Sequence, residues 1–281
     1  MWSLTGRNPE RGPMAKAVVR VEGTITSDAE LRESFERVRP DFPKGTPFWT
    51  DRSFQEAARR HPCLKTAAAY WPRDVQTPIF SDQTQIERRW SSYKDHGYGY
   101  LFYALTRVLK PVTCVELGVL QGFSLLTVAA ALRDNGGGRI HGFDLFEAYP
   151  YRHEPYAQVA EQLNASGLSR WATVEPSDAF EVPARFDDVD YLHVDISNHG
   201  DTYRTVFAQW ACKVRQIILL EGGSVARDRI AWMMQYRKPP IVQALEEIRV
   251  RYPDWEIAVF DPYPSLTVAI RRKDRRDALL A

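Results

Sequence analysis

From residue 112 onward, short apolar runs alternate with longer segments whose apolar residues recur at helical spacing. A short apolar run bounded by turn residues is typical of a buried strand, whereas the longer periodic segments are typical of helices. The pattern predicts seven strands, at residues 112–117, 139–144, 171–175, 190–195, 216–221, 255–260 and 266–271. The helices between them are predicted at residues 125–132, 156–166, 201–213 and 240–252.

Strands that alternate with helices predict an α/β fold with a mostly parallel sheet. The last two strands are an exception, because residues 261–265 are too short to form a parallel crossover. We therefore expect a C-terminal antiparallel hairpin. Residues 111–273 make up the predicted α/β domain, preceded by a mainly helical extension over residues 1–110 and followed by a tail over residues 274–281.

The first strand leads into the helix through a glycine-containing turn. Glu116 lies near the carboxyl end of the strand, and Gly118 and Gly122 allow the close approach that a Cβ atom would block. We expect backbone N–H groups of this turn to face a ligand. The Glu-x-Gly-x-x-x-Gly spacing is neither the dinucleotide fingerprint nor a phosphate loop, and an acid at this position would repel pyrophosphate but suits an ammonium group.

The second strand ends in Asp144, about twenty residues beyond the glycines, where an acid holds a ribose in nucleotide-binding folds. Asp144 is therefore the predicted ribose ligand.

At these residues the chain resembles the class I S-adenosylmethionine-dependent methyltransferases. Val115-Glu-Leu-Gly-Val-Leu-Gln-Gly-Phe-Ser124 is similar to the first motif of the small-molecule O-methyltransferases, including the metal-dependent branch that acts on sugars and antibiotics. The resemblance covers residues 111–271 and implies a Rossmann-like seven-stranded sheet. It also implies that S-adenosylmethionine is held by Glu116, Gly118, Gly122, Ser124, Asp144, Leu145, Ser177 and Asp178.

Reacting groups of an open α/β sheet gather beyond the carboxyl ends of its strands. Asp195 and Glu221 end the fourth and fifth strands, and in metal-dependent relatives acids at these positions hold a divalent cation such as Mg²⁺. Here Gly222 follows Glu221 where the family pattern usually has a second acid or amide. Asn198 or His199 is an alternative ligand, and without a metal His199 is the leading general base.

Simpler structural roles compete with these assignments. Instead of binding a metal or reacting, Asp195 could cap the turn that follows it, and Glu221 could form an ion pair with Arg227 or Arg229. Aromatic residues crowd the segment before the first strand, and they suit either a lid over the cofactor or packing against the sheet. They are Tyr70, Trp71, Trp90, Tyr93, Tyr98, Tyr100, Phe102 and Tyr103, with Tyr98 and Tyr100 as the better lid candidates.

Composition and charge bear on the partners and the location of the protein. The 281 residues carry 37 basic and 36 acidic side chains, so no basic field favours nucleic acid as a partner. The longest apolar runs are too short to span a membrane, and the N-terminus has no apolar signal-peptide core, so we expect a cytoplasmic protein.

The sequence thus predicts a methyltransferase that uses S-adenosylmethionine on a hydroxyl of a small sugar-like or secondary-metabolite acceptor, with a homodimer as a further expectation for the long N-terminal segment. An N- or carboxyl-methyltransferase and a methyltransferase-like binding protein without turnover are the alternatives. A nicotinamide oxidoreductase is disfavoured by the glycine spacing.

Overall fold

A seven-stranded sheet forms the centre of the molecule in the computed structural model, which describes residues 47–74, 89–149 and 154–272. The strand order is β3-β2-β1-β4-β5-β7-β6. The strands are β1 (Thr113–Leu117), β2 (Arg139–Asp144), β3 (Ala172–Pro176), β4 (Val189–Val194), β5 (Val214–Glu221), β6 (Trp255–Phe260) and β7 (Leu266–Arg271). The predicted seven-stranded α/β fold is confirmed.

The first five strands are parallel, and β7 runs antiparallel to both β5 and β6. The predicted C-terminal hairpin is therefore confirmed. Because the chain reverses its winding direction beside β1, the carboxyl ends of β1 and β4 flank the point where an open α/β sheet binds ligands.

Nine α-helices surround the sheet in the described ranges. They are α1 (Arg52–Arg60), α2 (Pro62–Asp74), α3 (Tyr98–Leu109), α4 (Phe123–Asn135), α5 (Tyr156–Ala165), α6 (Gly200–Trp210), α7 (Val225–Asp228), α8 (Ala231–Gln235) and α9 (Ile241–Arg251). The sequence missed the short helices α7 and α8, because helices this short show little periodicity. None of these helices is both long and apolar enough to cross a bilayer.

Two apolar cores lie on the two sides of the sheet. One core contains side chains of the five helices α1 through α5 together with strand residues such as Tyr191 and Ile217. The other core contains side chains of α6 and α9 together with strand residues such as Leu192 and Ile218. Successive residues of a buried strand point to opposite faces, so neighbours such as Tyr191 and Leu192 contribute to different cores.

The aromatic segment before β1 packs against the sheet. Tyr98 is fully buried, stacks on Phe48 with ring centroids 4.9 Å apart, and donates a hydrogen bond to the Pro262 carbonyl (2.7 Å). Tyr100 packs edge-on against Trp49. For Tyr98 the lid interpretation is wrong, because the ring is enclosed by the aromatic core. Much of the predicted extension, residues 1–46 and 75–88, lies outside the described residues, as does the tail 274–281.

Candidate active site

Acidic side chains gather at the carboxyl ends of four neighbouring strands. Glu116 lies in β1, Asp144 ends β2, Asp195 follows β4 and Glu221 ends β5. The sheet order places these strands side by side, so all four acids reach one edge of the sheet. Their hydrogen-bond partners give each acid a different role.

The turn after β1 is shaped by close backbone approach. Gly118 has φ +88°, and a Cβ atom there would lie 2.0 Å from the Asp195 carbonyl oxygen. Gly122 has φ +79° and immediately precedes α4. Glycine at position 118 therefore brings the β4 end, with Asp195, against the turn.

The carboxylate of Asp144 holds the turn after β1 through hydrogen bonds to its backbone. Its Oδ2 accepts hydrogen bonds from the Val119 N–H (2.7 Å) and the Leu120 N–H (3.0 Å), and its Oδ1 accepts one from the Phe146 N–H (3.0 Å). The N–H groups of Gly118 and Gly122 are bonded to backbone carbonyls. The protein itself therefore satisfies these four N–H groups, and the expectation that backbone N–H groups of the turn face a ligand stays a prediction for the rest of the turn. A phosphate would find no donors among them.

Glu116 is completely buried and belongs to a chain of interacting polar side chains. Its Oε1 accepts a hydrogen bond from the Ser124 hydroxyl (2.6 Å), and its Oε2 lies 3.6 Å from His193 Nδ1. On the other side of that ring, a hydrogen bond of 3.2 Å joins His193 Nε2 to the Tyr93 hydroxyl. Tyr93 precedes α3, so the N-terminal segment contributes directly to this buried chain.

Asp195 differs from the other acids because no donor among the described residues bonds to its carboxylate, which is partly exposed. Burial, more than any other effect, raises the pKa of Asp195 to about 7, and the nearby Glu221 and Glu116 carboxylates raise it further. His193 and Arg227 act in the opposite direction. A carboxyl group with a pKa near neutrality, placed beside the turn, can accept a proton.

Glu221 is held by a buried guanidinium. Arg227 Nε donates to Glu221 Oε1 (2.8 Å) and Arg227 Nη2 donates to Glu221 Oε2 (2.9 Å). Both side chains are buried, and the guanidinium also lies over the Trp232 ring at 5.4 Å from its centroid. The interpretation of Glu221 as an ion-pair partner of Arg227 is confirmed.

His199 lies in a different electrostatic environment. It precedes α6 as the helix cap position, and its pKa is lowered by burial first and then by Lys238, while Asp201 raises it. The neighbouring Asn198 is fully buried, and its amide donates to the carbonyls of Val194 (3.2 Å) and Glu221 (3.0 Å). Asn198 thus ties the ends of β4 and β5 together.

The comparisons with known proteins agree with this geometry. A family model described as "Methyltransferase domain" matches residues 115–220, the segment from β1 to β5 that contains the turn and Asp195. Residues 115–220 of the chain therefore match a methyltransferase domain. No curated protein sequence matches the chain.

Solved structures of methyltransferases resemble this chain in fold. The O-methyltransferase TomG from Streptomyces achromogenes, which is involved in tomaymycin synthesis and whose structure contains SAM, is 16% identical with a TM-score of 0.50. The match covers 79% of this chain and 91% of TomG. An O-methyltransferase from Bacillus cereus in complex with SAH is 15% identical with a TM-score of 0.50, and the match covers 85% of this chain and 97% of that protein.

The other predicted cofactor residues of the methyltransferase lie around β2 and β3. Leu145 follows Asp144 and is 37% exposed, which leaves its side chain accessible to a ligand. The Ser177 N–H bonds to the Asp144 carbonyl, whereas Asp178 is exposed and its carboxylate accepts a hydrogen bond from the Phe180 N–H (2.9 Å). Asp178 therefore forms an ordinary turn, and its role in an adenine pocket stays a prediction.

Sequence reasoning did not select three residues of this methyltransferase site. His193 lies two residues before Asp195, and side chains with this spacing share a strand face. The sequence of β4 therefore indicated that His193 lies on the same face of the sheet as Asp195. Arg227 was considered as an ion-pair partner of Glu221 and as a residue that could bind an acidic or phosphorylated acceptor. Tyr93 gave no signal that separated it from the other aromatic residues of its segment.

Proposed function

We propose that this methyltransferase transfers the methyl group of S-adenosylmethionine to a hydroxyl oxygen of a neutral small molecule, with Asp195 accepting the hydroxyl proton. The observation that carries the proposal is the carboxylate of Asp195 beside the turn after β1, to which no donor in the described part of the chain bonds. It is also the acid of the site whose pKa is raised to about 7.

The turn fits a cofactor whose amino-acid part carries an ammonium group. Four of its N–H groups are already bonded, so it offers little to a phosphate, whereas Glu116 Oε2 has no hydrogen-bond partner among the residues that the structure describes. Glu116 would then attract the ammonium group, Leu145 would lie against the adenine, and Asp144 would fix the turn and face the ribose. S-adenosylmethionine supplies a methyl group on an electron-poor sulfonium sulfur when it is bound.

The transfer itself needs alignment and the removal of one proton. The acceptor oxygen forms a bond to the methyl carbon while the carbon–sulfur bond breaks, and the electron pair of that bond stays on sulfur. The hydroxyl proton passes to the Asp195 carboxylate. His199 is a weaker candidate for this step, because the charged groups that shift its pKa are Lys238 and Asp201 rather than Asp195 or Glu221.

The charges of the site favour a neutral acceptor. Glu116, Asp195 and Glu221 place three carboxyl groups at adjoining strand ends, whereas Arg227 is already paired with Glu221. An anionic acceptor would meet net repulsion there, and a neutral hydroxyl would not. A sugar-like or secondary-metabolite alcohol or phenol meets this condition. A cytoplasmic location and a homodimer remain predictions.

Calorimetric titration with S-adenosylhomocysteine tests the cofactor assignment, with NAD as the control ligand. Saturable binding of S-adenosylhomocysteine but not NAD is expected, and binding of NAD alone would refute the proposal. A panel of neutral alcohols and phenols and of their carboxylated analogues then tests the acceptor class.

The matched variant for the proton step is Asp195→Asn, which keeps the size of the side chain and removes the base. It is expected to bind S-adenosylhomocysteine as the wild type does and to lose methyl transfer by about 10²- to 10⁴-fold. A fully active variant would remove Asp195 from the mechanism.

A further inference from the structure

Both oxygens of Glu221 are engaged by one cation of the protein. Arg227 Nε and Nη2 bind them in parallel at 2.8 and 2.9 Å, which is the bidentate geometry that guanidinium and carboxylate prefer. A divalent metal at the end of β5 would have to share these oxygens with the guanidinium or displace it.

The Arg227 side chain is enclosed at this position. It is 3% exposed, lies over Trp232, and belongs to α7, whose first turn is capped by the Ser224 hydroxyl at the Arg227 N–H (3.2 Å). A metal that displaced the guanidinium would leave a buried charge without its partner, which is strongly unfavourable. A metal that stayed beside it would meet repulsion between two cations.

Few other ligands are available for a metal site. Gly222 follows Glu221 and has no side chain to offer. The Asn198 amide nitrogen donates to two backbone carbonyls, which leaves Asn198 Oδ1, buried and with no hydrogen-bond partner among the described residues, as a neutral oxygen ligand. Within residues 47–74, 89–149 and 154–272, no cluster of three or more His, Cys, Asp or Glu side chains is arranged to hold a metal ion. The Mg²⁺ site that the resemblance implied for Asp195 and Glu221 does not fit these residues.

We propose that the Arg227 guanidinium takes the place of the divalent cation beside Glu221, so that this methyltransferase needs no metal. Arg227 is a positioning residue in this arrangement. It neutralises Glu221 and keeps a fixed positive charge near Asp195, as a metal does in the metal-dependent relatives. The inference deepens the proposed function and rests on it for the identity of the reaction, but the absence of metal binding follows from the ion pair alone.

Mn²⁺ is a suitable probe because its binding is measured directly, by the loss of the free-ion signal in electron paramagnetic resonance, without cofactor or acceptor. The wild type is expected to show no saturable Mn²⁺ site. Arg227→Met removes the guanidinium but keeps an apolar chain over Trp232, and it is expected to bind Mn²⁺ at least roughly tenfold more tightly than the wild type. The matched control is Arg229→Met, at an exposed arginine of the same segment, which should behave as the wild type.

The gain in Arg227→Met should vanish when Glu221→Gln is added, because the carboxylate that binds the ion is then lost. A saturable site in the wild type that Glu221→Gln removes would overturn the proposal. So would a folded Arg227→Met variant with no gain in Mn²⁺ binding. If Arg227→Met does not fold, the comparison of the wild type with Glu221→Gln decides, and neither result depends on whether S-adenosylhomocysteine binds.

Discussion

Replacing Asp144 by alanine removes the acceptor for three backbone N–H groups at once. The bonds to Val119, Leu120 and Phe146 are all charge-assisted and measure 2.7 to 3.0 Å. Val119 and Phe146 are buried, so water cannot easily replace their lost partner, whereas Leu120 is partly exposed and can be rehydrated. Two orphaned donors at about 1–3 kcal/mol each predict a loss of about 2–6 kcal/mol in the free energy of unfolding.

Urea denaturation measures this loss, provided that the m-value of the variant matches that of the wild type. At about 2–4 °C per kcal/mol for a domain of this size, the expected fall in melting temperature is about 4–24 °C. The control is Asp178→Ala, which removes an exposed carboxylate with a single N–H partner and should cost less than about 1 kcal/mol. An Asp144→Ala variant no less stable than Asp178→Ala would refute the assignment of Asp144 as the residue that holds the turn.

The same variant tests the second role of Asp144. When it is measured below its melting temperature, the affinity for S-adenosylhomocysteine should still be weakened, because the carboxylate near the ribose is gone. Unchanged affinity together with lowered stability would show that Asp144 supports the turn and does not bind the cofactor.

Three further predictions concern the same edge of the sheet. Gly118→Ala should destabilise the protein by at least about 3 kcal/mol in urea denaturation, because its Cβ would lie 2.0 Å from a backbone oxygen. The control is Gly136→Ala, which has a similar positive φ and no atom within 4 Å of its Cβ, and which should lose about 1 kcal/mol. Equal losses in the two variants would refute the steric argument. The rate of methyl transfer should rise with pH and level off above about 7 as Asp195 ionises, and a profile that is flat across this range would exclude Asp195 as the base. Because the pKa of Asp195 is higher in the folded state than the ordinary value of 3.8, the wild type should also lose stability relative to Asp195→Asn as the pH rises from about 4 to about 7.

Periodicity predicted the architecture well because the central strands β1, β4, β5 and β7 are largely buried on both faces. The bounds predicted for β2, β6 and β7 match the structure, and the short link between the last two strands identified the antiparallel hairpin. These features depend on local sequence, namely on run length, turn residues and the minimum length of a crossover.

The aromatic segment shows where local sequence was insufficient. Tyr98 and Tyr100 looked alike around Gly99, yet Tyr98 is enclosed between Phe48 and the β6–β7 link, whose Pro262 carbonyl it binds. That partner lies 164 residues away along the chain. No pattern within the segment encodes such a contact, so packing and lid roles could not be separated before the fold was known.

The acids at the strand ends show the same limit more sharply. Asp144, Asp195 and Glu221 occupy equivalent places in the sequence, each closing an apolar run, so one rule predicted a ligand-binding role for all three. Their donors distinguish them, since Asp144 receives three backbone N–H groups, Glu221 receives a guanidinium, and Asp195 receives no donor among the described residues. An acid whose oxygens are filled by the protein stabilises the fold, whereas an acid left unbonded at the sheet edge keeps its oxygens for chemistry. The position of an acid therefore predicts the edge at which a site forms, and its hydrogen-bond partners indicate which acid is left to react.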